Sequence, residues 1–594
     1  MTFMDRLLQP PFNPSQIRLK KRPLRKELLS NPNLLEKRIA ILSGSTIGEI
    51  KTTLELFLLN IGIKPLFYEG DYGLFYEESV FENSELNEFN PDIIYVHTSS
   101  KNILSYPRPG DTPAEREALL ESTFSRFKSV WDSLSEKYHC PIIINNFELL
   151  PFRIMGNADA WHPNGRHHFI TDLNTKIYEY VNNRIGVYIN DIHYLSSSYG
   201  LGRWADSANW YLYKYALALD AIPELCYNLS LIIKSIYGKN KKTLILDLDN
   251  TPWGGVIGDD GVENIHLGIE TAKGMAYAEF QSYLKGLSEL GIMLNVCSKN
   301  EESIAKQGFN HPSSVLKEDD FLVFKANWEP KSKNIQDIVS ELNIGIDSVV
   351  FVDDNPAERD IVRSFLPDVA VPEMTIPESY IQVIDKQGYF EVTTLSSDDL
   401  QRNETYKQNS ARESAQASFT DYSEFLQSLN MVNHIGSFSP ATIPRVTQLI
   451  NKTNQFNFTT RRYTEAEIIN ISDSELYITL WGRLEDKFGD NGIVTAMIVS
   501  LHGKRAVIDL WVMSCRVFKR SLEFAMFETL IDQLRKRGIE ELVGVYIPTA
   551  KNVILKDFYA DLGFSRIEGE DGKYLLPLTD YKKKDIDCMV IQYE

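Results

Sequence analysis

The chain has 594 residues, with 62 lysines and arginines against 81 aspartates and glutamates, for a formal net charge of −19. Hydrophobic residues make up 43% and charged residues 24%, the balance of a folded globular protein rather than a disordered one. The acidic surplus argues against a nucleic-acid partner, which needs clustered cations to neutralise phosphates, but leaves room for a local basic pocket around a small phosphorylated ligand. Five scattered cysteines without a CxxC pair argue against a disulfide framework and a structural zinc site. The first residues lack an apolar core for a signal peptide, and no run of about 18 apolar residues occurs. The expected compartment is the cytoplasm, with no membrane partner.

Residues 1–37 are basic and polar and read as an N-terminal arm. Over 38–238 short apolar runs at 38–43, 63–68, 92–97, 141–145 and 184–190 alternate with helical spacing, notably at 46–60 and 114–138. Strand alternating with helix predicts an α/β domain with a parallel sheet. A second α/β alternation fills 239–375, with strands at 244–248, 293–298, 321–324 and 348–352. Polar residues 376–420 read as a helical connection. The last part, 421–594, mixes strands at 477–481, 493–501, 506–512 and 542–547 with helices at 444–451 and 522–537, an α+β pattern. The fold class is therefore multidomain α/β.

The chemistry is densest in the middle. An apolar strand runs into Asp247-Leu-Asp249-Asn250-Thr251. Carboxylates spaced i, i+2 on a strand point the same way. At the carboxyl end of a parallel strand they can hold a divalent cation and act as nucleophile and acid/base. A second strand ends in Cys297-Ser298, a helix opens at Lys331-Ser-Lys333, and a third strand ends in Asp353-Asp354. These four elements, in this order, resemble the motifs of the haloacid dehalogenase (HAD) phosphatases. The resemblance implies Asp247 as nucleophile, Asp249 as acid/base, and Mg²⁺ held by Asp247, Asp249 through its carbonyl, Asp353 and Asp354. It also implies Ser298 and Lys331, with Asn250 and Thr251, around the phosphate. Lys333 is a rival for the lysine role. The glycines after Thr251 suggest a tight hairpin with no room for a cap domain, so the site is open enough for a tethered substrate.

Longer runs narrow the resemblance. DLDNTPWGGVIGDDG at 247–261, LINKTNQFNFTTRRY at 449–463, KFGDNG at 487–492, SCRV at 514–517 and PTAKN at 548–552 are similar to the FkbH-like family of HAD proteins. These load a glyceryl unit from 1,3-bisphosphoglycerate onto an acyl carrier protein in polyketide-type pathways and remove the remaining phosphate. The chain departs from the family pattern at Pro252, where leucine is usual, and at Lys519 and Ser521, where glycines are usual. The run DFYADLGF at 557–564 resembles the end of GNAT acyltransferases, which hold a pantetheine arm between splayed central strands. A carrier's phosphopantetheine would be the acyl acceptor here.

Acyl transfer to a thiol can pass through an enzyme cysteine. Cys515, beside Arg516, is one candidate, since an adjacent cation lowers a thiol pKa. Cys297 is the other, although it alternates with Ser298 and reads rather as a small core residue. Lys551, Asn552, Arg462 and Asn454 are candidates for gripping the glyceryl or carrier phosphate. In the first domain, Ser45 after the first strand and Asp191 with His193 loosely resemble an SGNH hydrolase, but the aspartate before the serine and the DxxH spacing are missing, so an inactive domain is expected. Two rival readings of the whole chain remain, a plain Mg²⁺-dependent phosphatase and a non-catalytic carrier-protein scaffold.

Overall fold

The computed structural model describes residues 6–416, 418–549 and 551–594. They form two compact units: one runs to Ile236 and includes Thr464–Glu467, and the other comprises Tyr237–Tyr463 and Ile468–Glu594. No helix among the described residues is long and apolar enough to cross a membrane.

The first unit holds a five-stranded, wholly parallel sheet made of β1 (Leu35–Ser43), β2 (Ile63–Glu69), β3 (Ile93–His97), β4 (Ile142–Asn145) and β5 (Val187–Asn190), in the order β2-β1-β3-β4-β5. Alternate residues Ala40 and Leu42, Ile94 and Val96, and Ile142 and Ile144 pack on Phe127, Trp131, Ile170 and Leu173 of the helices Pro113–Lys137 and Arg166–Asn182. That period of two is what a parallel strand covered by helices requires. The first strand starts three residues earlier than its apolar run, at Leu35, because the polar residues Glu36–Arg38 still pair with β2.

The second unit begins with a four-stranded parallel sheet: β6 (Thr243–Leu246), β7 (Met293–Ser298), β8 (Phe321–Ala326) and β9 (Val349–Val352), in the order β8-β7-β6-β9. The chain leaves β6 toward β7 on one side and returns to β9 on the other. This places the topological switch at the carboxyl ends of β6 and β9, where open α/β sheets bind ligands. The expected tight hairpin after Thr251 is looser. Gly254 and His266 form a single antiparallel bridge, and the one-turn helix Ile257–Asp260 lies between them.

The last sheet has nine strands: β10 (Met431–Gly436), β11 (Phe456–Asn457), β12 (Tyr477–Asp486), β13 (Gly489–His502), β14 (Arg505–Met513), β15 (Glu541–Val545), β16 (Ser565–Arg566), β17 (Lys573–Pro577) and β18 (Met589–Tyr593). β12, β13 and β14 are antiparallel, and β15 then joins β14 in parallel. Helix Leu522–Lys536 connects that parallel pair and lays Leu522, Met526, Phe527 and Leu530 on the core. β10 and β18, which pair in parallel at one edge, escaped the pattern reading because both are short and partly polar.

β14 and β15 pair only from Arg505↔Glu541 to Ile508↔Gly544 and then splay. The resemblance assigns that wedge to a pantetheine arm. Here the chain fills it itself. Phe456 and Asn457 pair with Met513 and Val512, and the Phe458 carbonyl accepts from Ile547 N at 2.8 Å.

Candidate active site

Asp247 follows β6 directly and Asp353 follows β9, so the parallel register of these neighbours brings the two carboxylates together. Lys331, the first residue of helix Lys331–Glu341, places its ammonium between them, 3.0 Å from Asp247 Oδ2 and 2.6 Å from Asp353 Oδ2. Lys331 is 3% exposed and Asp353 is fully buried. Burial alone would lower the lysine pKa, but Asp247 and Asp353 outweigh it and raise it. Lys331 is thus the charged lysine of the site. Lys333 points to solvent and pairs with Glu329 at 3.1 Å.

Asp354 completes an acidic group. Carboxylate oxygens of Asp247, Asp353 and Asp354 lie within 4.8 Å of one another. Burial, then Asp247 and Asp353, push the Asp354 carboxyl up to about 6. Three crowded acids against one lysine leave a negative excess that a divalent cation would neutralise, and an all-oxygen donor set suits Mg²⁺. Arg359 fixes the loop from below, donating to the carbonyls of Asp353 (2.9 Å), Asp354 (2.7 Å) and Met374 (3.0 Å). Pattern reading missed this arginine, which lies on the helix after the acidic pair.

Asp249 is held apart for a different role. Its Oδ1 accepts from Ile257 N at 3.0 Å and Trp253 Nε1 at 3.3 Å, and its Oδ2 from Asn300 Nδ2 at 3.2 Å. Burial raises its pKa, as a general acid requires. The Trp253 ring is fully buried on Gly308, where an added Cβ would lie 2.5 Å from it. Asp247, Asp249, Asn250, Ser298, Lys331 and Asp354 all line one open cavity of about 350 Å³, with Lys299 and Glu358 at its rim.

Two expectations change. Asn250 lines the cavity, but its side-chain oxygen is already engaged. Its Oδ1 accepts from Gly255 N at 2.9 Å, bracing the loop from a left-handed φ of 56°. Thr251 is buried and does not line the cavity, and its hydroxyl has no partner among the described residues. The Pro252 carbonyl accepts from Gln281 Nε2 at 2.9 Å.

The two cysteines separate clearly. Cys297 is fully buried, packs in the cluster of Ile245, Met293 and Ile335, and faces away from Ser298. Cys515 is half-buried, leaves β14 after Ser514, and donates to the Asn343 carbonyl at 3.2 Å. The expected lowering of its pKa does not hold: burial raises it and outweighs Lys242 and Arg516.

Of the other candidates, Asn552 is fully buried, accepts from Thr549 N and donates to Asn457 O and Ile547 O at 2.9 Å. That makes it a staple of the filled wedge. Arg462 spends its guanidinium on the carbonyls of Ile450 and Thr453 and on Asn454 Oδ1. Lys551 is exposed and pairs with Asp347 at 2.7 Å. In the first unit, Asp191 caps helix Ile192–Tyr199 and accepts from Asn146 at 2.6 Å, while the ring of His193 meets the Phe147 carbonyl at 3.3 Å. Ser45 Oγ is buried without a partner among the described residues. Among the described residues Ser45, His193 and Asp191 form no relay.

The sheet order and the Asp–Asp–Lys–acidic-pair geometry define a capless HAD-type domain. A family model described as the FkbH N-terminal domain matches residues 38–234. None of the curated proteins matches the chain. Among solved structures, the N-terminal part of protein BF1531 from Bacteroides fragilis, which contains a phosphatase domain and was crystallised with Mg, is 31% identical. It covers 64% of this chain and 99% of its own, with a TM-score of 0.58. The chain belongs to the FkbH-like family of HAD proteins. The ribosomal-protein-S18-alanine N-acetyltransferase of Escherichia coli matches at 19% identity, 25% of this chain and 94% of its own, with a TM-score of 0.20.

Proposed function

We propose that the protein is a Mg²⁺-dependent phosphatase coupled to acyl transfer. It takes a glyceryl unit from 1,3-bisphosphoglycerate, passes it to the phosphopantetheine thiol of an acyl carrier protein, and removes the remaining phosphate. The observation that carries the phosphatase half is Lys331 seated between Asp247 and Asp353 beside Asp354, at the mouth of an open cavity. The Bacteroides fragilis relative, crystallised with Mg, supports the cation. The glyceryl donor and the carrier follow from the family resemblance.

Mg²⁺ held by Asp247, Asp353 and Asp354 would neutralise charge on the phosphoryl oxygens. Lys331 adds a fixed positive charge and holds Asp247 in place. An Asp247 oxygen attacks phosphorus, the P–O bond to the substrate breaks, and Asp249 gives its proton to the departing oxygen. Asp249 then takes a proton from the water that cleaves the aspartyl-phosphate. In the transfer half, a thiolate attacks the acyl-phosphate carbonyl and the C–O bond to phosphate breaks. Our candidate for the enzyme thiol is Cys515, which is half-buried, rather than Cys297, which is sealed in the core. Transfer straight to the carrier thiol is the simpler route if Cys515 is not acylated. Capless access suits a substrate tethered to a protein.

The test is intact mass spectrometry of a phosphopantetheinylated carrier incubated with enzyme, Mg²⁺ and 1,3-bisphosphoglycerate generated in situ. A glyceryl adduct is expected. No adduct on several carriers, with phosphate still released from simple esters, would leave a plain phosphatase. No Mg²⁺-dependent turnover at all would leave a scaffold.

A further inference from the structure

A second cavity, of about 390 Å³, lies in the same unit at the other end of the four-stranded sheet. Lys242 enters β6 there, residues 343–348 lead into β9, and Ser514–Arg516 leave β14. Six cations line it, Lys242, Arg402, Arg445, Lys452, Arg516 and Lys551, against two carboxylates, Asp347 and Asp398. This happens in a chain whose net charge is −19.

The acids do not account for all six. Asp347 holds Lys551 at 2.7 Å, and Asp398 pairs with Arg445. Asp399 binds Lys452 at 2.9 Å and also Arg402. Lys242 and Arg516 are left without a carboxylate in contact, and Asp347 acts on Lys242 only from beyond ion-pair distance. Among the described residues no acceptor meets the Lys242 ammonium. Among the described residues Arg516 reaches only Ser514 Oγ, at 3.2 Å through Nε, and the face of the Tyr406 ring. Burial, then Arg402, push the Lys242 pKa down and bring that of Lys452 to about 8. Half-buried like charges without counterions cost stability, and they persist where a ligand supplies the counterion.

We propose that this cavity binds the phosphate group of a phosphorylated organic ligand, with Lys242 and Arg516 as its anion-binding groups and the Cys515 thiol in the same wall. Two cations without a contacting carboxylate match a phosphate dianion, whereas a carboxylate would leave one unpaired. An arginine fork with a lysine point charge is a common phosphate grip. The ligand is either a phosphorylated acid or the phosphopantetheine arm of a carrier. The wedge that would hold such an arm in the resembled acyltransferases is filled by residues 456–458, and Phe456 also lines this cavity. The site stands whether or not acyl transfer occurs.

The experiment follows alkylation of Cys515 by iodoacetamide in the full-length protein, read by peptide mass spectrometry, with EDTA present to silence Asp247. One arm contains 3-phosphoglycerate and another contains phosphopantetheine. A ligand seated over the thiol, present at ten times its Kd, slows alkylation about tenfold. Protection by the first identifies a phosphorylated acid, and by the second a carrier arm. Calorimetric titration of the same two compounds gives a second readout if the thiol reacts too slowly. Lys242→Gln and Arg516→Gln each weaken binding about tenfold or more, the value of a charge-assisted hydrogen bond, and Arg516→Lys serves if the glutamine variant does not fold. Lys242→Gln melts no lower than wild type, because it relieves repulsion. A lysine with a merely structural role would melt lower. Unchanged alkylation and no heat with both compounds, or glutamine variants that bind like wild type, would overturn the proposal. Protection without any carrier loading would instead sink the transfer reading alone.

Discussion

Lys242 and Asp247 bracket a single strand: Lys242 leads into β6 and Asp247 leaves it. At about 3.3 Å per residue they stand about 16 Å apart. The cationic cavity with Cys515 and the acidic phosphatase site therefore lie at opposite ends of the strands of one sheet. An acyl group held at Cys515 cannot meet Asp247, so dephosphorylation must follow release from that thiol. Asp247→Asn should then let the carrier be loaded and stop the second half. Intact mass spectrometry should show an adduct heavier than glyceryl by one phosphoryl group. A variant that loads nothing would argue for one shared site. Phosphate release from simple esters should fall by at least about 10³-fold, as when a nucleophile is removed elsewhere.

Lys331 and Lys333 lie two residues apart on one helix and should behave oppositely. Removing Lys331 leaves Asp247 and the fully buried Asp353 without their cation. Breaking a buried pair in this way costs about 3–5 kcal/mol. Lys331→Ala should lower the melting temperature sharply and abolish turnover. Lys333→Ala removes an exposed pair with Glu329 and should stay within about 0.5 kcal/mol of wild type with activity intact. Equal effects in the two variants would reassign the lysine role.

These residues also mark how far sequence alone reaches. Asp247, Ser298, Lys331 and Asp353 each sit at a strand end or helix start, so a local apolar pattern places them. The neighbours that tune them were out of reach. Trp253 was visible only as an apolar residue among glycines, and its indole bond to Asp249 depends on the packing of Gly308. The second cavity draws on residues from 242 to 551, a separation at which no spacing rule operates. Cys515 shows the same limit: its sequence neighbour Arg516 suggested a lowered pKa, but burial by segments far away in the chain decided the sign. The wedge of the last sheet was legible as a fold, whereas its occupation by Phe456–Phe458 was not.

Trp253 supports the acid as well as the core. Truncating it on Gly308 leaves a cavity, with a cost of about 3–5 kcal/mol. It also removes one of the donors to Asp249. Trp253→Phe should keep most of the packing and lose only the indole bond. Its melting temperature should then fall less than that of Trp253→Ala, while kcat still drops. If kcat were unchanged in Trp253→Phe, Ile257 N and Asn300 would suffice to orient the acid.

The first unit carries a pH-dependent element. His97 ends β3, bonded to the Tyr95 hydroxyl through Nδ1 at 2.9 Å, and its Nε2 is buried without a partner. Burial lowers its pKa to about 4, against about 6.5 unfolded. The unfolded chain therefore binds the proton first. The stability from a neutral His97 is present above pH 6.5 and is lost as the pH falls toward 4, by about 3 kcal/mol in all. The gap in melting temperature between wild type and His97→Gln should narrow from pH 7.5 to pH 5. A constant gap would show that the ring is hydrated or partnered.

The departures at 519 and 521 have a conformational price. Lys519 and Ser521 hold φ values of 66° and 63°, in the left-handed region that costs a residue with a Cβ about 1–2 kcal/mol. Glycine, usual at both positions in the resembled family, adopts it freely. Ser521 sits there to start helix Leu522–Lys536 and makes no side-chain cap bond, so its hydroxyl does not recover the strain through capping. Replacing each by glycine should stabilise the fold by about 0.5–1 kcal/mol, once the extra freedom of glycine in the unfolded chain is set against the relieved strain. The double variant should show the sum within about 0.5 kcal/mol if the two sites act independently. Urea titration of the single and double variants measures this. A loss of stability in Ser521→Gly would mean that contacts of the serine side chain outweigh the backbone strain.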